Sequence, residues 1–480
     1  MQIRVWNFKW PRQFKEIMLN NHFSSSSEVF SWLEKFINLE GGPIPPKIFR
    51  LESMNALAEL VGHPERYAPV IHVAGSKGKG SVTGIIASIL EADGRKAARY
   101  MSPHIADFRE RISLGNRFFE ESVYCAAGDE LRDLADVKVP ASNHKAFDPA
   151  YDGEPPTFYE LLTMYFFLCA RTAHCDAMVV ETGLGGRLDS TNIVDPVVSI
   201  INLIELEHTA YLGDTLALVA GEKAGIIKNG RPLVLARQNP EALEVFKKRA
   251  AEKNSPFLYF PDCVMLDNLN VHKGGTDFSL AFRGEKNLGV EPLHLSLPIP
   301  GTVQAENAGL AVLALKVAFP DIGNDAICRG LKQVKIPARF EKVADDPVFI
   351  IDGAHTPESA SLCVETFCSL YGEGGLLLFG CAVDKNVDGM AEVLVSHFSH
   401  IIITMPGNFK VSDTEHVYDV FSHRSGGSKT KYVKDTEAAV QLAWETAKKN
   451  NVPIICMGSF YLAAEARNYL MQDKIFSKIE

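Results

Sequence analysis

At 480 residues, with 46% apolar and 22% charged residues, the chain has a soluble globular composition and is too long for one ordinary core, so two or three domains are expected. Its formal charge of −10 argues against a nucleic-acid sheath or a protein held on anionic lipid, both of which need a positive field. Nine scattered cysteines without a C-x-x-C pair argue against a disulfide framework or a zinc cage and point to a reducing cytosol.

The first twenty residues interleave Trp and Lys and lack an apolar signal core, which disfavours secretion. Residues 1–23 are set apart as an extension without an assigned role. Ser24 to Ser27 are expected to cap a helix starting near Glu28. Val70 to Ala74 reads as a buried strand that ends in a glycine-rich loop, with a helix over SVTGIIASILEADG. Leu161 to Ala170 reads as a buried helix, being far shorter than the roughly 20 residues a bilayer needs. Ala177–Val180, Val197–Leu203 and Pro232–Leu235 are further strand-like runs. The stretch Leu295 to Val303, punctuated by Pro and Gly, suits a linker. Gln304 to Val317 reads as a helix, followed by apolar runs at Val348–Ile351, Leu376–Phe379, His400–Thr404 and Pro453–Met457. The alternation predicts an α/β protein with units over 24–296 and 304–480 joined by a linker at 297–303.

Three constellations in the first unit carry chemistry. In HVAGSKGKGS, residues Gly75, Ser76, Lys77, Gly78, Lys79, Gly80 and Ser81 can form an anion cradle at a helix N-terminus. Lys79 can reach phosphate oxygens and the Ser81 hydroxyl can ligate magnesium, although Gly80 breaks the strict Walker spacing. Taken alone, such a loop is as readily a tight βα turn with solvated lysines. In ETGLGGRLDSTN, Glu181 ends a strand beside a glycine loop and is placed to hold a metal; an incidental surface acid is the plainer reading. In the segment from Glu207 to Lys228, a lone His208 is more often structural than a ligand. Lys223, flanked by Ala220, Gly221, Ala224 and Gly225, suggests a close-packed site where burial depresses an amine's pKa. In the second unit, Asp352 follows an apolar run, a common place for an acid that bonds ribose hydroxyls, and Arg339 suits a clamp on a phosphoryl group. A turn acid and a surface arginine are the default alternatives.

In this order the motifs closely resemble the folylpolyglutamate synthase/dihydrofolate synthase branch of the Mur ligase superfamily. The resemblance runs from about Phe49 to Tyr461 and includes FRLESM, HVAGSKGKGS, SPHI with RERI, PTFYELLT, ETGLGGRLDSTN, EKAGIIK, GTVQAENA, ARFE, DGAHTP, GCAVDKN and GSFYL. It implies an N-terminal P-loop ATPase domain and a C-terminal Rossmann-like domain with the active site between them. The implied reaction phosphorylates a folate or pteroate carboxylate with ATP, after which L-glutamate attacks the acyl phosphate. The resemblance further implies Lys79 on phosphate and Ser81 and Glu181 on a first magnesium. It places His208 and a carbamylated Lys223 on a second magnesium, with potassium as a further candidate ion. Asn307, Arg339, Asp352 and His355 are implied to contact nucleotide or glutamate from the C-terminal domain, and Phe158 and Asp189 to belong to the pterin pocket. The implied protein is a cytoplasmic monomer with small-molecule partners, using neither nucleic acid nor membrane.

The sequence departs from the family pattern in four places. Ser76 and Lys77 stand where many bacterial members have Thr-Asn, Glu207 replaces Asp, Ala338 replaces Gly, and Thr356 replaces Asn. The first and third are expected to be tolerated; the last puts an amide contact at 356 in doubt. Other readings are a cell-wall Mur ligase, a P-loop kinase or switch ATPase, and an inactive binding protein. The GLGGRLD and PTFYELLT segments favour the folate branch over the first. Dependence of phosphate release on both glutamate and a pteroate or folate separates the remaining two.

Overall fold

The structure, a computed structural model, describes residues 22–36, 51–136, 156–284, 291–407, 411–427 and 429–471. Residues 1–21 of the extension, and Phe49 and Arg50 of the FRLESM segment, lie outside the described residues. Helix α1 (Ser26–Leu33) starts behind Ser25, whose hydroxyl accepts from the Glu28 amide at 3.3 Å and satisfies a donor the helix leaves open.

Seven strands build the first sheet: β1 (Val70–Ala74), β2 (Ala97–Tyr100), β3 (Ile112–Leu114), β4 (Ala177–Glu181), β5 (Val198–Ile201), β6 (Leu233–Leu235) and β7 (Phe257–Tyr259). Their spatial order is β3-β2-β4-β1-β5-β6-β7, and only β3 runs antiparallel to its neighbour. Continuous apolar runs are required because both faces are covered. Ile71, Val73, Ala177, Val179, Val198 and Ile200 face one core, whereas Val70, Met178 and Val180 face another. The helices α2 (Lys79–Ala92) and α3 (Phe158–Thr172) lie in these two cores respectively. No helix among the described residues is long and apolar enough to cross a membrane.

Past β7 the chain makes an antiparallel sheet of β8 (Val264–His272), β9 (Gly275–Phe282) and β10 (Leu293–Leu297), in the order β10-β9-β8. This corrects the linker expected at 297–303. Leu293, Leu295 and Leu297 alternate inward, as a half-buried strand demands, and Thr302 already begins helix α5 (Thr302–Ala318). Helix α5 is apolar nearly all round because the first core encloses it, and α6 (Asn324–Gln333) packs on α2 beside it. Both therefore belong by packing to the first unit, and the change of unit falls at 334–340 rather than at 297–303. The α2–α6 contact is close: Ser88 Oγ donates to the Gly330 carbonyl at 2.7 Å, and a β-carbon at 330 would stand 2.4 Å from Ile89 Cα. Gly330→Val is expected to destabilise by about 1–3 kcal/mol through overpacking. Thermal unfolding checks this, and an unchanged midpoint would count against so tight an interface.

The second sheet comprises β11 (Glu341–Asp345), β12 (Val348–Ile351), β13 (Gly375–Phe379), β14 (Phe398–Ile403), β15 (Thr430–Tyr432) and β16 (Ile454–Met457). Its order is β11-β12-β16-β13-β14-β15, parallel except for β11. Leu377 and Phe379 face one core, while Leu376 and Leu378 face the other. Helices α7 (Pro357–Tyr371) and α8 (Phe460–Met471) follow β12 and β16. Ile105, from the SPHI segment of the first unit, packs into the second unit's core with Ala338 and Ile351.

Candidate active site

The loops at the carboxyl ends of β1, β4, β5, β12, β13 and β16 open onto a cavity of about 490 Å³ between the two units. Ligands of open α/β sheets gather at such strand ends, where the strand order reverses. Here β1 lies between β4 and β5, so the loop after it sits at the reversal.

That loop is shaped by close approach. Gly78 has φ +73°, and a β-carbon there would stand 2.3 Å from Asn202 Nδ2 and 2.5 Å from Asn307 Oδ1. The two asparagines bond to each other at 2.8 Å and press on the loop from β5 and α5. The amides of Ser76 and Lys77 donate to the Leu203 carbonyl at 2.8 and 3.3 Å, so those two amides turn away from the cavity. The cradle is consequently the first turn of α2, beginning at Lys79, whose amides have no carbonyl inside the helix to pair with. Lys79 Nζ donates to the Gly75 carbonyl at 2.9 Å, folded back over its own loop. Lys77, Lys79, Arg339 and Lys385 line the cavity beside the carboxylates of Glu181, Glu205, Glu207 and Asp352, so cations stand ready for phosphate within a mixed-charge cleft.

Ser81 Oγ and Glu181 Oε2 are buried without a hydrogen-bond partner among the described residues. Two such oxygens, at the start of α2 and the end of β4, fit a hard cation such as magnesium. Burial pushes the Glu181 carboxyl up to about 7, against the pull of Lys79 and Arg339.

Lys223 ends helix α4 (Leu216–Lys223) and is 1% exposed. Its ammonium donates to the Gly75 carbonyl at 2.8 Å and to Glu207 Oε1 at 2.9 Å. Burial lowers its pKa to about 8, opposed by Glu207. Glu207 and His208 line the cavity, whereas Lys223 stands behind them. Of the small residues around Lys223, Ala220, Ala224 and Gly225 are closely packed, whereas Gly221 faces open space. A β-carbon at Gly225 would stand 2.3 Å from Arg187 Cα, so the GLGG loop lies directly on this segment.

Across the cavity, Asp352 binds two amides: Oδ2 accepts from Phe340 at 2.7 Å and Oδ1 from Ala354 at 2.7 Å. Ala338 and Phe340 flank Arg339 at φ +52° and +46°, a left-handed conformation that costs an alanine about 1–2 kcal/mol and that glycine adopts freely. This accounts for the glycine usual at position 338 in the family. The Arg339 guanidinium lies 4.4 Å from the centre of the Phe460 ring. A carbon on Gly80 would stand 3.8 Å from Arg339 Nη2 and 3.5 Å from Glu181 Oε2, so the arginine overhangs the start of α2. His355 Nδ1 lies 2.8 Å from the Gly353 carbonyl, which can only accept, so Nδ1 carries the proton and Nε2 is an acceptor. Burial lowers its pKa to about 3 and keeps it neutral. Thr356 caps α7 by bonding to Ser359.

Of the residues singled out in the sequence, Ser76 to Ser81, Glu181, His208, Asn307, Arg339, Asp352 and His355 meet on this one cavity. Asn307 comes from the first unit, on α5, rather than from the C-terminal domain as expected. Phe158 and Asp189 do not line it. Phe158 is core beside Tyr165, and Asp189 accepts from the Leu184 amide at 2.8 Å and from Thr191, holding the GLGG loop. Sequence reasoning did not single out Asn202, Lys385 or Phe460. Each lies just past the end of a parallel strand, the latter two within GCAVDKN and GSFYL, and that position is the signal that could have found them.

Residues 338–460 match the Mur ligase, glutamate ligase domain, which gives the class: a ligase of the Mur type. A dihydrofolate synthase/folylpolyglutamate synthase of Bacillus subtilis is 31% identical over 455 residues, covering 93% of this chain and all of the relative. A folylpolyglutamate synthase of Lacticaseibacillus casei is 29% identical, covering 87% of this chain and 94% of its own. The chain belongs to the dihydrofolate synthase/folylpolyglutamate synthase family of ligases. The solved structure of Mycobacterium tuberculosis folylpolyglutamate synthase complexed with ADP superposes with a TM-score of 0.82 at 28% identity, covering 94% of this chain and 99% of that one. A folylpolyglutamate synthase–AMPPCP–folate complex gives 0.77 at 27% identity over 93% of this chain and 100% of that one.

Proposed function

We propose that the chain joins L-glutamate to the carboxylate of dihydropteroate and of reduced folates, with ATP as the activating substrate. The observation that carries this reading is the amide cradle of α2 facing Arg339 and His355 across a single cleft. A carboxylate oxygen attacks the terminal phosphorus of ATP and ADP leaves. The glutamate nitrogen then attacks the acyl carbon and phosphate leaves. Every participant is anionic, so the protein's task is to hold them together and offset their charge. Lys79 and the first amides of α2 do this on the nucleotide side, and Arg339 does it from the facing wall. Ser81 and Glu181 would hold magnesium, which when bound neutralises phosphate charge. We propose one chain per active unit, since both walls come from the same chain, and a cytoplasmic location, in keeping with nine free thiols.

The test is phosphate release measured with each substrate withheld in turn. Release should require glutamate together with dihydropteroate or tetrahydrofolate. Release without an amine would favour a kinase or ATPase, and none at all an inactive binding protein.

We further propose that Lys223 is carbamylated in the working enzyme and, with His208, serves a second magnesium. Burial and the family resemblance support this. Glu207, one methylene longer than the family's usual Asp, would have to release its present bond to Lys223. Lys223→Ala is expected to lose most activity and to regain part of it with added short carboxylates, whereas Lys223→Arg should not be rescued. Equal activity of Lys223→Ala with and without carboxylate would sink the idea.

A further inference from the structure

On the second unit, away from the cleft, Cys368, Glu373 and His397 bring a sulfur, a carboxylate and an imidazole nitrogen within 4.8 Å of one another. His397 Nδ1 lies 3.8 Å from Cys368 Sγ, and 3.1 and 2.9 Å from the two Glu373 oxygens. Glu373 pairs with His397, and the Cys368 thiol lies within hydrogen-bond reach of both, so all three side chains converge on one point. Ligands of a tetrahedral zinc, with bonds of about 2.0–2.3 Å, stand some 3.3–3.8 Å apart; Cys368 Sγ and His397 Nδ1 have that spacing at 3.8 Å, and the Glu373 carboxylate would draw back slightly from 2.9 Å.

The three donors are held by backbone as well as by side chains. Cys368 is in the last turn of α7, and the Gly372 amide donates to its carbonyl at 2.9 Å. The Gly374 amide donates to the His397 carbonyl at 2.8 Å, joining the Glu373 turn to the turn that leads into β14. Neighbouring Phe367 and Phe398 are buried in the second unit's core and anchor both arms. The backbone around Cys368 and His397 is thus anchored before any ion arrives, while the exposed Glu373 side chain is free to close on it.

We propose that Cys368, Glu373 and His397 form a binding site for one zinc-class divalent cation. Sulfur with imidazole selects a borderline metal over magnesium, which prefers oxygen alone. Three protein donors leave a fourth position for water. The site lies at the amino ends of β13 and β14, opposite the cleft, so the ion clamps α7 to the sheet rather than joining in ligation. The sequence hides it because the donors are 5 and 24 residues apart, in no recurrent metal spacing.

Cobalt(II) titration of the purified full chain in magnesium buffer tests the proposal. A thiolate-to-cobalt charge-transfer band should grow to one equivalent, disappear in Cys368→Ser, and need more cobalt in His397→Ala. Magnesium-supported ligation should be unchanged in both variants. Absence of the band in the wild type, or its persistence in Cys368→Ser, overturns the proposal.

Discussion

Lys79→Ala is expected to reduce substrate-dependent phosphate release about a thousandfold at saturating ATP, the scale of losing a group aimed at transition-state charge. The fold should be untouched. The amine's hydrogen bond is to the Gly75 carbonyl of its own loop, and that loop is independently held by Asn202, Asn307 and the Leu203 carbonyl. Steady-state turnover and thermal unfolding, measured together, check both halves. Wild-type turnover would place the phosphates elsewhere, and a large fall in unfolding temperature would make the loss structural.

Arg339→Ala is expected to lower kcat about a hundredfold or more, with a smaller effect on the KM for ATP. Its guanidinium overhangs the start of α2, and its charge helps keep buried Glu181 ionised. Arg339→Lys should recover little, because an ammonium cannot reproduce a planar group stacked on an aromatic ring. The stacking partner gives an internal control. A cation–π contact is worth about 0.5–2 kcal/mol, so Phe460→Leu should cost up to roughly thirtyfold in kcat while Phe460→Trp retains most of it. Equal losses in both would mean that Phe460 fills space without orienting the arginine.

The parallel sheets were legible because burial on both faces forces continuous apolar runs such as Val70–Ala74 and Leu376–Phe379. The antiparallel excursion was not. Prolines 298 and 300 and Gly301 dominate the local pattern, and Leu293, Leu295 and Leu297 declare a strand only once β9 and α5 are seen to cover them. Site residues that touch phosphate chemistry through backbone, Gly78 and Lys79 above all, were visible because that demand is local. Asn202 and Asn307 were harder, since their role depends on meeting each other 105 residues apart in the chain. Phe158 and Asp189, expected in a pterin pocket, lie off this cavity, one in the core and one holding the GLGG turn.

The passage from one unit to the next at 334–340 has a bearing on how such enzymes can be recombined. A crossover near residue 335 transfers Arg339, its brace Asp352, neutral His355 and the ring of Phe460 as one inherited block. A crossover at 297–303 would instead replace α5 and α6, tearing Asn307 from Asn202 and a glycine-fitted helix from α2. The seam that permits grafting is therefore the stretch that delivers the arginine, so a graft made there exchanges one complete wall of the cleft and leaves the phosphate cradle whole.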